Sequence, residues 1–466
     1  MKLTKFLAFL LGASVLMSAC RKNSDDDDDD TPPAPETLTG TVSTDKRLTA
    51  DRIWILKGYT YVTAGATLTI EPGTIIKSDI GDKGALIIER GAKIIAAGTA
   101  AKPIVFTSGK ATGARTPGDW GGIILLGKAP SNLANPTIEG GVGRQYGGTD
   151  PEDNSGIMSY VRIEYAGIAA QPNSEINGLT CGGVGRKTQL DHIQVIFGND
   201  DAFEFFGGTV NAKYLVAVGT ADDDFDFDNG FSGTIQYAVA LRYPKLADPL
   251  DASNTIECDN DANATVAFTP RTRPVLSNLT LIGPNAQAET HAQHNFGNRW
   301  RRATDFVFVN SIIMGSQKGG FSIESKASAE DFRTDVSIFK NNIVHAVAAP
   351  YKADSAASRG FDVNNVTPAN PLAAADLTAL LNLGALAMKT KAEANGCVTL
   401  ATADEVGLTA PFSLTAPNFL PKAGSKALEG TFVAATGVEP VTYRGAFGTT
   451  NWMTGWTNFD PQNQAY

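Results

Sequence analysis

The stretch that decides the fold is residues 190–230, LDHIQVIFGNDDAFEFFGGTVNAKYLVAVGTADDDFDFDNG, because its two halves repeat at a shift of 22 residues. Ile193–Gly198 matches Leu215–Thr220, and Phe203–Phe205 matches Phe225–Phe227. The side chains within each run alternate between two faces, as they do on a β-strand. A unit this short cannot bury its own apolar side, so successive units are expected to stack on one another.

The repeat continues downstream with a longer period. Asn278–Gly283, Asn310–Gly315 and Asn341–His345 recur at shifts of 32 and 31 residues, and each run opens on an asparagine. Stacked asparagines bond one another in amide ladders. The pattern predicts an all-β fold, a right-handed parallel β-helix with one helical insertion and a C-terminal cap. A β-sandwich or a propeller is the runner-up, but evenly spaced hairpin turns of the Asn-Gly type are missing.

Two segments interrupt the repeat. Tyr243–Pro274 is predicted to be an insertion between coils, and Pro371–Gly396 has the apolar spacing of a helix. Gly445–Gly448 and Asn451–Phe459 are expected to cap the open end, which would otherwise invite pairing at its edge. The predicted organisation is a leader at 1–19, a tether at 20–37, a β-helix at 38–350, a helical insertion at 351–410, and a closing segment with its cap at 411–466.

The N-terminus has the features of a bacterial lipoprotein leader. Lys2 and Lys5 precede an apolar run at 6–17 that is too short to span a bilayer comfortably, and small residues then lead to Cys20. This pattern resembles a lipobox, and it predicts that Cys20 is acylated after cleavage. An ordinary secretory signal with an incidental cysteine is the alternative. Several acyl chains on one residue make a stable membrane anchor.

An acidic run follows the candidate anchor. Ser24, Asp25, Asp26, Asp27 and Asp28 resemble the export signal that sends Bacteroidetes lipoproteins to the outer face of the outer membrane. The plainer interpretation is a solvated spacer, since like charges repel and keep a chain extended. We expect a lipid-anchored outer-membrane protein that faces the cell exterior.

Composition excludes some functions. The formal net charge is −10, which makes the chain a poor candidate for nucleic-acid binding. Only 19% of the residues are charged and 47 are glycine, a balance that favours a β-rich extracellular protein. Cys181, Cys258 and Cys397 remain beside Cys20, and the sequence leaves their pairing open.

The strongest local signal is a pair of aligned acidic runs. Carboxylates stacked at the spacing of neighbouring strands repel one another unless a cation lies between them, and calcium prefers oxygen ligands of this kind. The spacing is not that of an EF-hand loop, because Asn229 and Ile235 occupy two of its defining positions. A solvated acidic face is the alternative. The predicted calcium ligands are Asp200, Asp201, Glu204, Asp222, Asp223, Asp224, Asp226 and Asp228.

Catalytic motifs are weak in this sequence. Arg242, Arg271 and Arg273 follow the acidic runs and are candidates for the base of a lyase-type reaction, although no motif supports them. His291 and His294 have a spacing that suits a shared metal on a helix, but a third ligand is not evident. We therefore predict no catalytic residue.

Five short motifs occur together in the chain: Gly118–Gly122, Ile138–Gly141, Phe205–Thr209, Asp222–Gly230 and Trp452–Phe459. Together they resemble a family of Bacteroidetes and Leptospira outer-membrane lipoproteins with a pectin-lyase-like architecture. The resemblance covers most of residues 38–466, and it implies an outer-membrane lipoprotein but no particular activity.

These observations lead to a functional expectation. We expect a non-enzymatic surface module that binds an extracellular glycan or protein and is stabilised by calcium, with a TonB-dependent transporter as a candidate partner. A polysaccharide-active enzyme and a purely structural envelope protein are the two alternatives, since the fold alone does not decide between them.

Overall fold

The sequence repeat forms a solenoid of short strands. The computed structural model describes residues 33–171, 174–263, 265–367 and 372–466, and its compact unit spans Ala34–Tyr466. Cys20 and the acidic run that follows it lie outside the described residues. Most strands pair in parallel with the strand one coil away, which confirms the right-handed parallel β-helix predicted from the repeat.

The strands are short, and three helices interrupt them late in the chain. In chain order the strands are β1 Glu36–Val42, β2 Lys46–Leu48, β3 Ile53–Val62, β4 Thr67–Ile70, β5 Ile75–Ser78, β6 Ala85–Ile88, β7 Lys93–Ala97, β8 Ile104–Thr107, β9 Ile123–Leu126, β10 Gly156–Glu164, β11 Ala169–Gln171, β12 Ser174–Glu175, β13 Leu179–Gly182, β14 Gln189–Ile196, β15 Phe203–Phe206, β16 Ala212–Val218, β17 Phe225–Asp228, β18 Thr234–Leu241, β19 Ile256–Cys258, β20 Val275–Ile282, β21 Phe296–Trp300, β22 Val307–Val309, β23 Ile312–Ser316, β24 Gly319–Ile323, β25 Ile338–Lys340, β26 Ile343–Ala346, β27 Tyr351–Ala353, β28 Val398–Thr399, β29 Leu408–Ala410 and β30 Asn418–Pro421. The helices are α1 Lys326–Arg333, α2 Ser355–Phe361 and α3 Ala374–Ala394.

One face of the solenoid, which we call the first sheet, is a single column of short strands. From the second half of β3 it runs through β6, β9, β13, β15, β17, β19, β21, β24 and β27. Its inward phenylalanines stack along the axis, with ring centroids 5.3 Å apart for Phe203 and Phe225 and 5.4 Å apart for Phe205 and Phe227. These stacked rings are buried and contribute a large apolar area to the core.

The other two faces share long strands that bend once. β14, β16 and β18 each turn at a residue with positive φ, and the rings of these three residues lie above one another. His192 lies 4.2 Å from the Tyr160 ring of β10 and 4.4 Å from the Tyr214 ring, and Tyr214 lies 5.1 Å from Tyr237. A left-handed conformation costs roughly 1–2 kcal/mol for a residue with a side chain. Stacking between the rings of this column offsets that cost.

We call the stacked residues at these bends the bend column, and in later coils its positions are occupied by the recurring asparagines. Asn278, Asn310 and Asn341 all have φ near +55°, and asparagine tolerates that conformation better than most residues. The predicted ladder is confirmed between Asn341 and Asn310, whose side-chain amides bond at 2.9 Å. In the preceding coil the bend position is occupied by Tyr237, and the Asn278 amide oxygen accepts instead from the neighbouring Gln236 at 3.2 Å.

Two elements differ from the sequence prediction. Tyr243–Pro274 contains β19, which continues the first sheet, so this segment is a coil with long turns rather than an insertion. The helix predicted at 371–396 is present as α3, and α2 lies within the segment 351–410 predicted as a helical insertion, whereas α1 was not predicted. α1 is short, with eight residues, and tertiary packing stabilises a helix of that length more than local propensity does.

The C-terminal segment follows the flank of the solenoid. Arg444 donates to the Asn341 carbonyl at 3.0 Å, and the Asn458 amide donates to Gln194 at 2.8 Å. Trp456 packs edge-on against Tyr160 and His192 of the bend column. The segment predicted as an end cap therefore lies along the middle coils, where the aromatic column provides a surface for its tryptophans.

The remaining cysteines lie inside the fold. Cys181, Cys258 and Cys397 are free thiols, and all three are buried. Their pairing, which the sequence left open, is therefore absent among the described residues. In the part of the chain that the structure describes, no helix has both the length and the apolar character needed to cross a membrane.

Candidate functional site

The outer face of the first sheet carries a column of charged side chains. On β15 and β17 the phenylalanines point into the core, so Glu204 and Asp226 point outward. Parallel pairing sets Glu204 beside Asp226, Asp226 beside Glu257, and Glu257 beside Arg299. Since neighbouring strands lie about 4.8 Å apart, three carboxylates follow one another before the first base.

Aspartates from the preceding turns join this column. Asp200 and Asp201 lie just before β15, and Asp222 lies just before β17. Carboxylate oxygens of Asp200, Asp201 and Asp222 lie within 4.8 Å of one another, and so do those of Asp201, Glu204 and Asp226. Asp201 belongs to both groups. We call these five residues the acidic cluster.

Neutral donors satisfy only part of the acidic cluster. The Asp223 N–H donates to Asp201 Oδ1 at 2.7 Å, and the Asn177 amide donates to Glu204. Asp226 Oδ1 is buried and has no hydrogen-bond partner in the protein. Neutral donors orient a carboxylate but do not cancel its charge, so the electrostatic cost of this cluster remains.

Basic partners are missing as well. Among the described residues, none of the five carboxylates forms an ion pair within 4.0 Å. Further along the same sheet, Glu257 and Asp259 do form ion pairs. Asp223 and Asp228 border the cluster and are likewise without an ion pair; they accept from the backbone N–H groups of Asn254 and Asn229. Buried carboxylates are normally paired with a base, bound to a metal or neutralised by a proton, and the described residues supply no base to this cluster.

The pKa values reflect this imbalance. Burial, and then the charges of Asp200 and Asp222, raise the pKa of Asp201 well above its ordinary value. Burial, and then the neighbouring Glu139 and Asp201, raise the pKa of Glu204 in the same way. At the edge of the cluster, burial and the nearby Asp259 raise the pKa of Asp228 to about 8. Each of these shifts favours the protonated, neutral form of the carboxyl group.

The acidic column ends against a group of arginines. Arg299 bonds Glu257 at 3.0 Å and Glu324 at 2.9 Å, and Arg301 pairs with Glu257 and Asp259. Arg302 also bonds Asp259, at 2.6 Å, and its side chain is 40% exposed. Here acids and bases balance, in contrast to the acidic cluster. The outer face therefore passes from an unbalanced acidic half to a half in which the charges are paired.

Asp224 does not belong with the other predicted ligands. It precedes β17 and is fully buried, and its carboxylate lies 3.4 Å from the Arg242 guanidinium. Thr220 also donates to it at 2.8 Å. Burial raises the pKa of Asp224 to about 7, and the Arg242 charge opposes that rise. Of the predicted ligands Asp224, Asp226 and Asp228, only the last two therefore lie on the outer face of the first sheet.

The basic and histidine candidates have structural partners. Arg271 bonds Asp331 at 2.8 Å, and Arg273 bonds the Val336 carbonyl at 3.2 Å. Arg242 is buried beside Asp224, so none of the three arginines is presented as a base to the acidic cluster. His294 is buried, and its Nε2 lies 3.0 Å from the Tyr243 carbonyl, a contact that engages this nitrogen as a donor.

Sequence reasoning missed part of the site. Glu257 and Asp259 extend the column, and the alternation Ile256-Glu257-Cys258-Asp259 repeats that of Phe225–Asp228. This alternation lies within Tyr243–Pro274, which the sequence predicts to be an insertion. Ile and Cys replace the phenylalanines there, and long turns flank the strand, so the repeat is hard to recognise. Glu139 was also missed. It reaches the cluster from a loop far away in sequence, where its Oε1 lies 3.2 Å from the Asn177 amide.

The donor set suits a hard cation. All the groups that converge at Asp201 are carboxylates, and calcium takes six to eight oxygen ligands in flexible geometry. The residues that could hold such an ion are Asp200, Asp201, Glu204, Asp222 and Asp226. Asp223 and Asp228 lie next to them on the same face, whereas Asp224 is engaged by Arg242.

A solenoid of parallel strands with a charged outer sheet defines the class of pectate-lyase-like β-helix proteins. The model of the Pectate-lyase like beta helix domain family matches residues 40–385, and the chain belongs to this family. The match covers nearly the whole solenoid, and it supports a carbohydrate-binding or carbohydrate-active role at most. No curated protein and no solved structure matches the chain.

Proposed function

We propose that the protein is a non-enzymatic module that binds an extracellular glycan and uses calcium at the acidic cluster. A partner protein as the ligand is the other form of the same proposal. Within the glycans, an anionic polymer fits best, because a bound cation and the half-exposed Arg302 would both attract carboxylate groups.

One observation carries this proposal. Asp201 shares its carboxylate with two groups of acidic oxygens, each within 4.8 Å, and no basic side chain of the described residues forms an ion pair with either group. A cation there would remove the repulsion, stabilise these coils and present a positive centre to the solvent. The flank of a long parallel solenoid is broad and rigid, which suits an extended ligand.

The arginines favour binding over catalysis. A lyase of this architecture needs a base that is unprotonated when it removes a proton. Burial works to lower the pKa of Arg301, but the carboxylates of Glu257 and Asp259 outweigh burial and raise it. An arginine held in its charged form positions an anionic ligand well and abstracts a proton poorly.

A polysaccharide-active enzyme is the second candidate, and one observation favours it. Arg299 and Arg301 lie on the same outer face as the acidic cluster, two or three coils away. A cation bound at the cluster would then share one face of the solenoid with basic side chains. A purely structural envelope role is the third candidate, and it needs neither calcium nor a ligand.

The experiment that tests the proposal compares binding with turnover. The mature chain is incubated with polygalacturonate in calcium and in chelator, and both retention on the polymer and absorbance of unsaturated products are measured. We expect calcium-dependent retention without new absorbance. Release of unsaturated products would favour the enzyme, whereas no retention in either buffer would contradict the glycan-binding proposal. The same assay is run on Asp201→Asn, with Asp82→Asn as its charge-matched control, because Asp82 is an exposed acid outside the cluster.

We further propose that the module is displayed on the outer surface of the outer membrane. Acylation of Cys20 would hold it there, and Ser24 to Asp28 would direct its export. A surface glycan binder of this kind would pass its ligand to a TonB-dependent transporter. The motifs at the N-terminus support this proposal, which is independent of the calcium site.

A further inference from the structure

A small polar cavity lies between coils behind the acidic cluster, on the side of Arg242. Its walls include Arg242, His294, Asn295 and Ser316, and its volume is about 10 Å³. Each of these four residues is at least nine-tenths buried. A cavity needs roughly 10–15 Å³ of such volume to hold one water molecule, so this space admits one water and nothing larger.

Four polar atoms in the walls of this cavity have no partner in the protein. They are Arg242 Nε, His294 Nδ1, Asn295 Oδ1 and Ser316 Oγ. A buried polar atom without a hydrogen bond costs about 1–3 kcal/mol, and native proteins rarely leave such atoms unpaired. Four of them around one cavity point to a common partner.

The chemistry of the four atoms specifies that partner. Arg242 Nε carries a hydrogen and can only donate. His294 Nε2 faces the carbonyl oxygens of Tyr243 and Pro244 at 3.0 and 3.1 Å, so it carries the ring hydrogen and leaves Nδ1 as an acceptor. Asn295 Oδ1 accepts, and Ser316 Oγ does either.

Only one small species matches one donor, two acceptors and one group of either kind. An anion would leave His294 Nδ1 and Asn295 Oδ1 unsatisfied, because it donates nothing. An ammonium-like cation would leave the Arg242 N–H unsatisfied, because it accepts nothing. A water molecule has two hydrogens to give and two lone pairs to receive them.

We propose that this cavity is a built site for a single ordered water molecule. The water accepts from Arg242 and Ser316 and donates to His294 and Asn295. It fixes the Nε edge of the Arg242 guanidinium, whose Nη1 lies 3.4 Å from the buried Asp224 carboxylate. The water is therefore a positioning element for the ion pair between Arg242 and Asp224.

A crystal structure of the mature protein at about 2 Å or better tests the site. We expect a density peak at ordinary hydrogen-bond distances, about 2.7–3.2 Å, from at least three of the four atoms. No peak would overturn the proposal. So would direct pairing between Arg242 and Asn295, or a peak that a bromide soak replaces, since that would identify an anion.

Oxygen-17 relaxation dispersion of water tests the same site in solution through a pair of matched variants. Ser316→Val fills the cavity with a methyl group and should remove one long-lived water from the wild-type signal. Ser322→Val is the control, because Ser322 is equally buried and its hydroxyl is also unpartnered, yet it does not line the cavity. Equal signals from the wild type and Ser316→Val would overturn the proposal, as would an equal loss in both variants.

Discussion

Glu204 and Asp226 are register partners on consecutive coils, and both point away from the core of the solenoid. Each therefore brings a negative charge to within one strand spacing of the other. The repeat that builds the fold thus also brings the charges together, since the same position carries an acid in three consecutive coils, at Glu204, Asp226 and Glu257. Asp201 lies against both residues, so a single cation at this point would neutralise acids from two coils.

The stability of the chelator-treated protein should fall as the pH rises. Burial raises the pKa of Asp223 to about 6 and, with neighbouring acids, those of Asp228 and Glu257 to about 8. A carboxyl whose folded pKa exceeds its unfolded value favours the folded state most when it is protonated, and this contribution is lost as the pH rises through the folded pKa. We expect Tm in chelator to fall between about pH 5 and about pH 8.

Calcium should reverse this trend. Because the ion competes with protons for the same oxygens, the rise in Tm on adding calcium should be larger at about pH 8 than at about pH 5. Thermal melts at both pH values, with magnesium as the control ion, check the prediction. A calcium effect that is equal at both pH values would show that the ion acts elsewhere.

Removal of one ring from the core stack should be costly. Phe227 is fully buried and lies 5.4 Å from Phe205 and 5.2 Å from Phe231. Phe227→Ala should lower the free energy of unfolding by about 3–5 kcal/mol, since it leaves a cavity between coils. Phe268→Ala is the control, because that ring is 36% exposed. Equal losses in urea denaturation would contradict the stacking argument.

The asparagine ladder offers a second test of the fold. Asn310 accepts from Asn341 at 2.9 Å and donates to the Val433 carbonyl at 2.9 Å. Asn310→Ala should lower the free energy of unfolding by roughly 2–4 kcal/mol, through lost hydrogen bonds and a strained backbone. Asn365→Ala isolates the backbone part, because Asn365 is exposed with φ of 50°. A ladder that contributes nothing would make the two losses equal.

The membrane anchor can be tested without reference to the fold. Cys20→Ala should move the protein from the membrane fraction to the soluble fraction, because all of the acyl chains of the proposed anchor are attached to this one residue. Cys181→Ala, at a buried free thiol, should leave the protein in the membrane fraction.

Replacement of Asp25 to Asp28 by alanine should retain the anchor but abolish digestion by protease added to whole cells. Surface digestion that persists would contradict the export-signal interpretation.

Much of the fold was predictable because its signal is periodic. The shift of 22 residues aligned Glu204 with Asp226 correctly, since short turns kept the coils equal in length. The same reasoning failed at Glu257, where longer turns broke the period. It also failed for Glu139, whose contact with Asn177 depends on the path of a loop. Periodicity reports what recurs along the axis, and it is silent about segments that cross the coils.

The C-terminal segment illustrates the same limit. Its tryptophans suggested a cover for an open end, and a cover does form, but on a different surface. Trp452 lies 5.1 Å from the Tyr214 ring, and Trp456 lies 5.7 Å from that of His192. The surface that receives them is a column of bend residues, which becomes apparent only when the coils are stacked. Sequence alone shows which residues seek burial but not where the receiving surface forms.

Calorimetric titration of calcium into the chelator-treated mature protein tests the central claim most directly. The wild type should bind with measurable heat, Asp201→Asn should lose at least roughly tenfold in affinity, equivalent to about 1.4 kcal/mol, and Asp82→Asn should bind as the wild type does. The absence of binding heat in the wild type, together with an unchanged Tm, would contradict the account. So would an Asp201→Asn variant that binds calcium as tightly as the wild type.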